Sequence, residues 1–302
     1  ARIFLQTNVL FSEGYAIINM RGNGSFWPFP KNRLQGTAML GRELVFALIG
    51  TGATCAATVL GAAMVFLFRK DMSPNLQRIF LGFAAGVMTA AAVFSLLLPA
   101  VESLEEQGKG VILPVGGGFA LGALFLLVLD RVLPHMHIGS DEPEGLRSHF
   151  KKSTMLVLAV TLHNVPEGMA VGLAFAAAAQ STEAGALAGA IALAAGMALQ
   201  NFPEGAAVSL PLRSGGMGKG KAFVYGALSG VVEPIFGILA VLVSGTVAGI
   251  MPWMLSFAAG AMIYVVVEEL IPEAHLGEHS HIGTASVLAG FFVMMVLDIA
   301  LG

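Results

Sequence analysis

The stretch His163-Asn164-Val165-Pro166-Glu167-Gly168 lies between two apolar runs, Met155 to Leu162 and Met169 to Ala179. The pattern returns 37 residues later as Gln200-Asn201-Phe202-Pro203-Glu204-Gly205, between Ala184 to Leu199 and Ala206 to Leu212. Crossing a hydrocarbon core of about 30 Å takes roughly 20 residues of apolar helix. Both runs reach that length, so an imidazole, two carboxylates and two prolines fall at membrane depth. An ionisable side chain there costs on the order of 3 kcal/mol even on insertion scales, and it marks function unless a partner explains it. Recurrence of the same spacing makes it a built feature.

The whole chain agrees with that reading. Of 302 residues, 56% are hydrophobic and 12% charged, with a mean hydropathy of +0.80; a soluble domain carries about 25% charged residues. The apolar runs do not alternate with polar residues, which excludes a membrane barrel. The fold class is therefore an all-α polytopic membrane protein. Its 38 glycines suit helices that approach closely in lipid. A single cysteine, Cys55, excludes a disulfide framework and a thiolate metal cluster. No basic run interleaved with aromatics points to nucleic acid.

Eight runs can cross: Glu43 to Phe68, Ile79 to Val101, Gly110 to Asp130, Thr154 to Ala179, Ala184 to Leu212, Ala222 to Val247, Met251 to Ile271 and His281 to Leu301. They form one domain over 37–302, preceded by an irregular tail over 1–36 that lacks the basic start and apolar centre of a signal peptide. Connections one-two, three-four and five-six hold ten Lys and Arg, whereas the alternate connections hold only Lys109. Cytoplasmic loops keep the positive excess, so both termini are expected outside. Five basic residues before the first span vote the other way and are given less weight than the short loops. The connection 131–153 carries His135, His137, His149, Asp141, Glu142 and Glu144. It reads as a solvated cytoplasmic loop, with a metal-collecting loop as the alternative.

Residues four apart share a helix face, so His163 points with Glu167 and Gln200 with Glu204. Pro166 and Pro203 lack an N–H and are expected to kink their helices, which is tolerated at this depth only against protein or a wet cavity. Asn164 and Asn201 widen each polar face, and Glu233 brings a third carboxylate beside Pro234. Three carboxylates, one imidazole and several amides suit two divalent cations such as Zn²⁺, Fe²⁺ or Mn²⁺. With so few basic residues in the spans, a cation from outside the chain is the simplest compensation. Interhelical hydrogen bonding is the structural alternative for any one of these residues taken singly.

Along a pathway, Glu269 and Glu273 read as an inner-mouth relay or an interfacial helix end, with His275 beside them and Asp130 on the same side. Asp298 reads as a hydrogen-bonded pair or an outer-entrance group. Met88 offers a soft thioether, with a core methionine as the alternative. No GxxxxGK[ST] loop is present, so ATP is not the direct energy source. The membrane potential contributes about 2.3 kcal/mol per charge per 100 mV.

The twin motifs HNVPEG and QNFPEG, the Val231-Val232-Glu233-Pro234 glutamate and the end Glu268-Glu269-Leu270-Ile271-Pro272-Glu273-Ala274-His275 resemble the ZIP (Zrt/Irt-like) family of divalent-metal transporters, in its bacterial branch, over residues 43 to 302. The resemblance implies eight transmembrane helices in a 3+2+3 arrangement, the first and last three related by inverted repeat, and a homodimer in the lipid bilayer. It implies a binuclear site in the fourth and fifth helices. One metal would be held by His163, Glu167, Gln200 and Glu204, the second by Asn164, Glu167, Asn201 and Glu204 with Glu233 contributing. Some bacterial relatives carry aspartate where Asn201 stands, and the asparagine here would weaken the second metal or change its coupling. The expected activity is zinc-preferring uptake across a bacterial inner membrane, with Cd²⁺, Fe²⁺ or Mn²⁺ as other candidate substrates. An enzyme is not expected: the intramembrane hydrolase alternative usually presents H-E-x-x-H, and the first motif here follows its single His with Asn. A metal sensor that binds without flux is the other alternative.

Overall fold

The structure, a computed structural model, describes residues 8–12, 15–19, 28–67, 73–134, 152–181, 185–246, 249–274 and 281–301. Among them are eight helices long and apolar enough to cross a membrane: Leu40–Leu67, Pro74–Glu106, Ile112–Val132, Ser153–Gln180, Ala186–Ser214, Lys219–Gly245, Met251–Ala274 and His281–Leu301. These are the eight spans read from sequence, with ends moved by a few residues. The second begins at Pro74 rather than Ile79. The Ser73 hydroxyl accepts the Leu76 N–H at 3.3 Å there, and Pro74 takes a first-turn position where its missing N–H does no harm.

The segment before the first span differs from the irregular tail expected over 1–36. Asn8–Ser12, Tyr15–Asn19 and Pro28–Pro30 pair in that order as a small antiparallel sheet, and helix starts at Lys31. Val9 and Phe11, with Ile17 and Ile18 on the partner strand, supply the β-branched and aromatic types that strands favour.

The membrane body is held by close backbone contact, because lipid offers no hydrophobic drive between helices. The first span packs on the fifth, the sixth on the fourth, the second on the eighth and the seventh on the third. At the second–eighth crossing Gly86 faces the Val287 carbonyl and Gly290 the Phe83 carbonyl. At the third–seventh crossing Gly260 faces the Phe119 carbonyl and Gly122 the Phe257 carbonyl. A Cβ at any of the four would strike a backbone oxygen. The third and eighth spans are the most outward, each with 17% of its central window buried against 61% in the second and fourth. Their outer faces carry Leu121, Leu124, Phe292 and Ile299, all exposed as lipid-facing residues should be.

The prolines of the twin motifs do not interrupt their helices. Lys152–Gln180 and Ala186–Ser214 run through Pro166 and Pro203 as continuous α-helices. Each proline removes one hydrogen bond, and the packing beside it holds the helix: Gly168 lies on the Glu233 carbonyl and Gly205 on the Thr58 carbonyl. The departures fall elsewhere: turns at Ala63 and Val231 interrupt the first and sixth spans, the latter just ahead of Glu233 and Pro234, and in the second and seventh Ala92–Leu97 and Val266–Leu270 are π-helical, just ahead of Pro99 and Pro272. There the N–H of Leu98 reaches the Val93 carbonyl and that of Ile271 the Val266 carbonyl, five residues back. The wider turn draws the following proline ring away from the carbonyl it would otherwise strike.

Candidate functional site

The fourth and fifth spans bring their motifs together at the centre of the bundle. His163, Glu167, Gln200 and Glu204 line one cavity of about 40 Å³, bordered also by the second and seventh spans through Met88, Glu269 and Glu273. One water needs about 10–15 Å³ by this measure, so the space suits an ion with a water or two. The i,i+4 spacing thus does what helical geometry dictates: each motif turns two donors to the same side. Glu167 and Gln200 are 1% exposed.

The remaining motif residues lie behind that cavity, fully buried. Asn164 donates its amide to the Ser229 carbonyl at 3.0 Å. Asn201 donates to Glu233 Oε1 at 2.9 Å and to the Thr54 carbonyl at 3.3 Å. Glu233 Oε1 also accepts from the Thr58 hydroxyl at 3.3 Å. Gln200 ties the two layers, donating to Glu167 Oε2 at 2.5 Å and to Asn201 Oδ1. His163 Nε2 meets Glu269 Oε1 at 2.5 Å.

Three buried oxygens in this cluster have no hydrogen-bond partner: Asn164 Oδ1, Glu204 Oε1 and Glu233 Oε2. Leaving such groups unsatisfied in a water-poor interior costs about 1–3 kcal/mol each, more when charged. The acids also crowd one another. Glu167 is within electrostatic range of Glu204 and Glu233, and Glu204 of Glu233 and Glu269, while no Lys or Arg lines the cavity. Oxygen-rich, cation-poor and holding one imidazole, the arrangement is chemically matched to a divalent cation. Among the described residues no three His, Cys, Asp or Glu side chains close a ready-made cage, because the carboxylates are turned onto amide, hydroxyl and imidazole groups.

Glu269 and Glu273, read from sequence as inner-mouth groups, line the cavity itself. Asp130 accepts from the Tyr264 hydroxyl at 3.1 Å, and Asp298 from the Ser95 hydroxyl at 2.7 Å, so each carboxylate joins two spans away from the cavity. His275 lies outside the described residues, as do the histidines and acids of the connection at 135–149. The residues missed from sequence are Thr54, Thr58 and Ser229. A signal existed: Thr51, Thr54 and Thr58 repeat at i, i+3 and i+7 in an otherwise apolar span, and all three are 0% exposed.

Eight apolar helices around a buried cluster of acids, amides and one imidazole define a multi-pass membrane protein with its polar site inside the bundle. The family model described as ZIP Zinc transporter matches residues 43–153 and 135–298, and the chain belongs to that family. It is 36% identical to zinc transporter ZIP11 of Homo sapiens, over 87% of this chain and 99% of that protein. Zinc transporter GufA of Myxococcus xanthus is 37% identical, over 87% of this chain and the full length of the relative. Zinc transporter ZIPB of Bordetella bronchiseptica is 40% identical, over 85% and 82%.

Proposed function

We propose that this chain takes up divalent transition-metal cations, zinc in preference, through a binuclear site on the fourth and fifth spans. Membership of the ZIP zinc transporter family makes it a transporter rather than an enzyme and supports zinc as a substrate. The observation that carries the site is the set of orphaned oxygens on Asn164, Glu204 and Glu233, buried among acids with no Lys or Arg in the lining. The first ion takes His163, Glu167, Gln200 and Glu204, which share the cavity. The second takes Asn164, Glu167, Asn201 and Glu204 with Glu233, and it is the weaker site, since the Asn201 amide is engaged by Glu233. For either ion to bind, amide and imidazole must let go of their carboxylate partners.

The 3+2+3 arrangement and its inverted repeat are part of this reading. Packing supports them: exchanging first with sixth, second with seventh, third with eighth and fourth with fifth turns the four largest contacts into one another. So does sequence. Leu81-Gly82-Phe83-Ala84-Ala85-Gly86-Val87-Met88 matches Leu255-Ser256-Phe257-Ala258-Ala259-Gly260-Ala261-Met262, and Val128-Leu129-Asp130 matches Val296-Leu297-Asp298. Each matched Asp stands eight residues after a crossing glycine, Gly122 or Gly290. A homodimer, a bacterial inner membrane and outward termini complete the proposal, as does admission of Cd²⁺, Fe²⁺ or Mn²⁺.

The test is uptake of radiolabelled zinc into proteoliposomes holding the wild type, Glu167→Ala or Glu204→Ala. The wild type should accumulate zinc, competed by the other three cations, and each variant should lose most of the flux. Binding without any flux in the wild type would sink the transport reading and leave a sensor.

A further inference from the structure

Glu233 stands at the start of the helix Val232–Thr246, 0% exposed, and its two oxygens are treated unequally. Oε1 accepts from Asn201 at 2.9 Å and from Thr58 at 3.3 Å. Oε2 has no partner at all. Thr58 comes from the first span, 175 residues away in sequence, and its position is fixed on several sides. A Cβ on Gly230 would meet its Cβ, Cγ2 and Oγ1 at 2.8, 3.0 and 3.0 Å, so the side chain is wedged against a glycine that admits it. Its carbonyl carries Gly205 of the second motif. Its single hydroxyl proton has two acceptors in reach, Glu233 Oε1 at 3.3 Å and the Thr54 carbonyl at 3.4 Å. A carboxylate is the stronger acceptor. Thr54 is a further hydrogen-bonding neighbour of the Glu233 carboxylate, although its hydroxyl also reaches the Thr51 carbonyl at 3.0 Å.

We infer that Thr58 is a positioning residue that sets metal preference: with Asn201 it pins Oε1 of Glu233, so that only Oε2 is presented to an ion. The inference rests on the reading of Glu233 as a ligand of the substrate metal. A carboxylate held by one oxygen grips in monodentate fashion, which suits Zn²⁺ with its four-coordinate habit. Freed of one donor, the group can turn and offer both oxygens, a grip that larger cations with more ligands use readily. Cd²⁺ is the larger analogue of Zn²⁺ and therefore the probe. Thr58 touches no ion in this scheme and acts only through Glu233.

The experiment compares initial uptake of Cd²⁺ and Zn²⁺ into proteoliposomes for wild type, Thr58→Val, Thr58→Ala, Thr58→Ser and Glu233→Ala, all verified as folded by gel filtration and thermal unfolding. Thr58→Val keeps the shape and loses the hydroxyl; Thr58→Ala does so without any risk of overpacking. Both should raise the Cd²⁺/Zn²⁺ ratio roughly three- to tenfold, the scale of one ordinary hydrogen bond, and Thr58→Ser should return it to the wild-type value. An unchanged ratio in both variants, while Glu233→Ala alters it, would overturn the role of Thr58 and spare that of Glu233. A proportional fall of both fluxes that serine fails to restore would reduce Thr58 to packing and overturn the inference. If Glu233→Ala itself changes neither rate nor ratio, the ligand reading of Glu233 fails first and takes this inference with it.

Discussion

Glu167 shows how one side chain can be both structural and chemical. It is 1% exposed, its Oε2 accepts from Gln200 at 2.5 Å, and Glu204 and Glu233 sit close enough to repel it. A buried carboxylate with one amide donor is undersatisfied, and a divalent cation supplies what the amide does not. The same logic applies to His163, whose Nε2 is occupied by Glu269 at 2.5 Å. To ligate a metal the imidazole must be neutral and the carboxylates ionised, so binding releases protons and affinity falls as pH falls. Calorimetric titration with zinc in buffers of different ionisation enthalpy should show net proton release. His163→Gln should bind zinc more weakly by the same titration. Unchanged affinity in the variant would remove His163 from the ligand set. At this scale the sequence was highly legible, because spacing alone put His163, Glu167, Gln200 and Glu204 on shared faces. Glu269 was legible as an acid but not as a neighbour of His163, since that contact depends on how the seventh span crosses the fourth.

At the level of helices, two local devices do the shaping. Glycines set the distance between spans, and π-helical turns set the course of the second and seventh. The π turns escaped the sequence reading because Pro99 and Pro272 look no different from Pro166 and Pro203 in a linear string. The fourth and fifth helices run on through their prolines, with Gly168 and Gly205 against the Glu233 and Thr58 carbonyls, whereas the second and seventh widen into π turns. The glycine crossings lead to a direct comparison. Gly260→Leu would drive a side chain into the Phe119 carbonyl, whereas a Cβ on Gly116, in the same pair of spans, would meet nothing within 4 Å. Thermal unfolding in detergent should show Gly260→Leu losing about 2 kcal/mol or more, the scale of an overpacked core. Gly116→Leu should stay near the wild type or gain up to about 1 kcal/mol from helix propensity. Equal stability in the two variants would contradict close backbone packing as the bond between the third and seventh spans.

Across the whole molecule, eight spans and their approximate ends were readable from hydropathy, because a bilayer demands length and apolarity of every helix that crosses it. Which helices touch was not readable from hydropathy, although the matched Phe-Ala-Ala-Gly and Val-Leu-Asp stretches carried that information in plain view. Under the proposed inverted repeat they join helices in two equivalent sets, and the acid-and-amide cluster stands on the fourth and fifth spans, which that repeat would exchange with one another. An ion bound there would meet both halves of the chain at once, as a site for alternating access requires. Anomalous diffraction at the zinc edge, from crystals of the zinc-loaded protein, tests that placement most directly. Density is expected between the fourth and fifth spans, with Glu167 and Glu204 oxygens at about 2.0–2.2 Å from zinc, and a weaker second peak towards Glu233. Zinc found only outside the bundle, with Glu167 still bonded to Gln200, would contradict it.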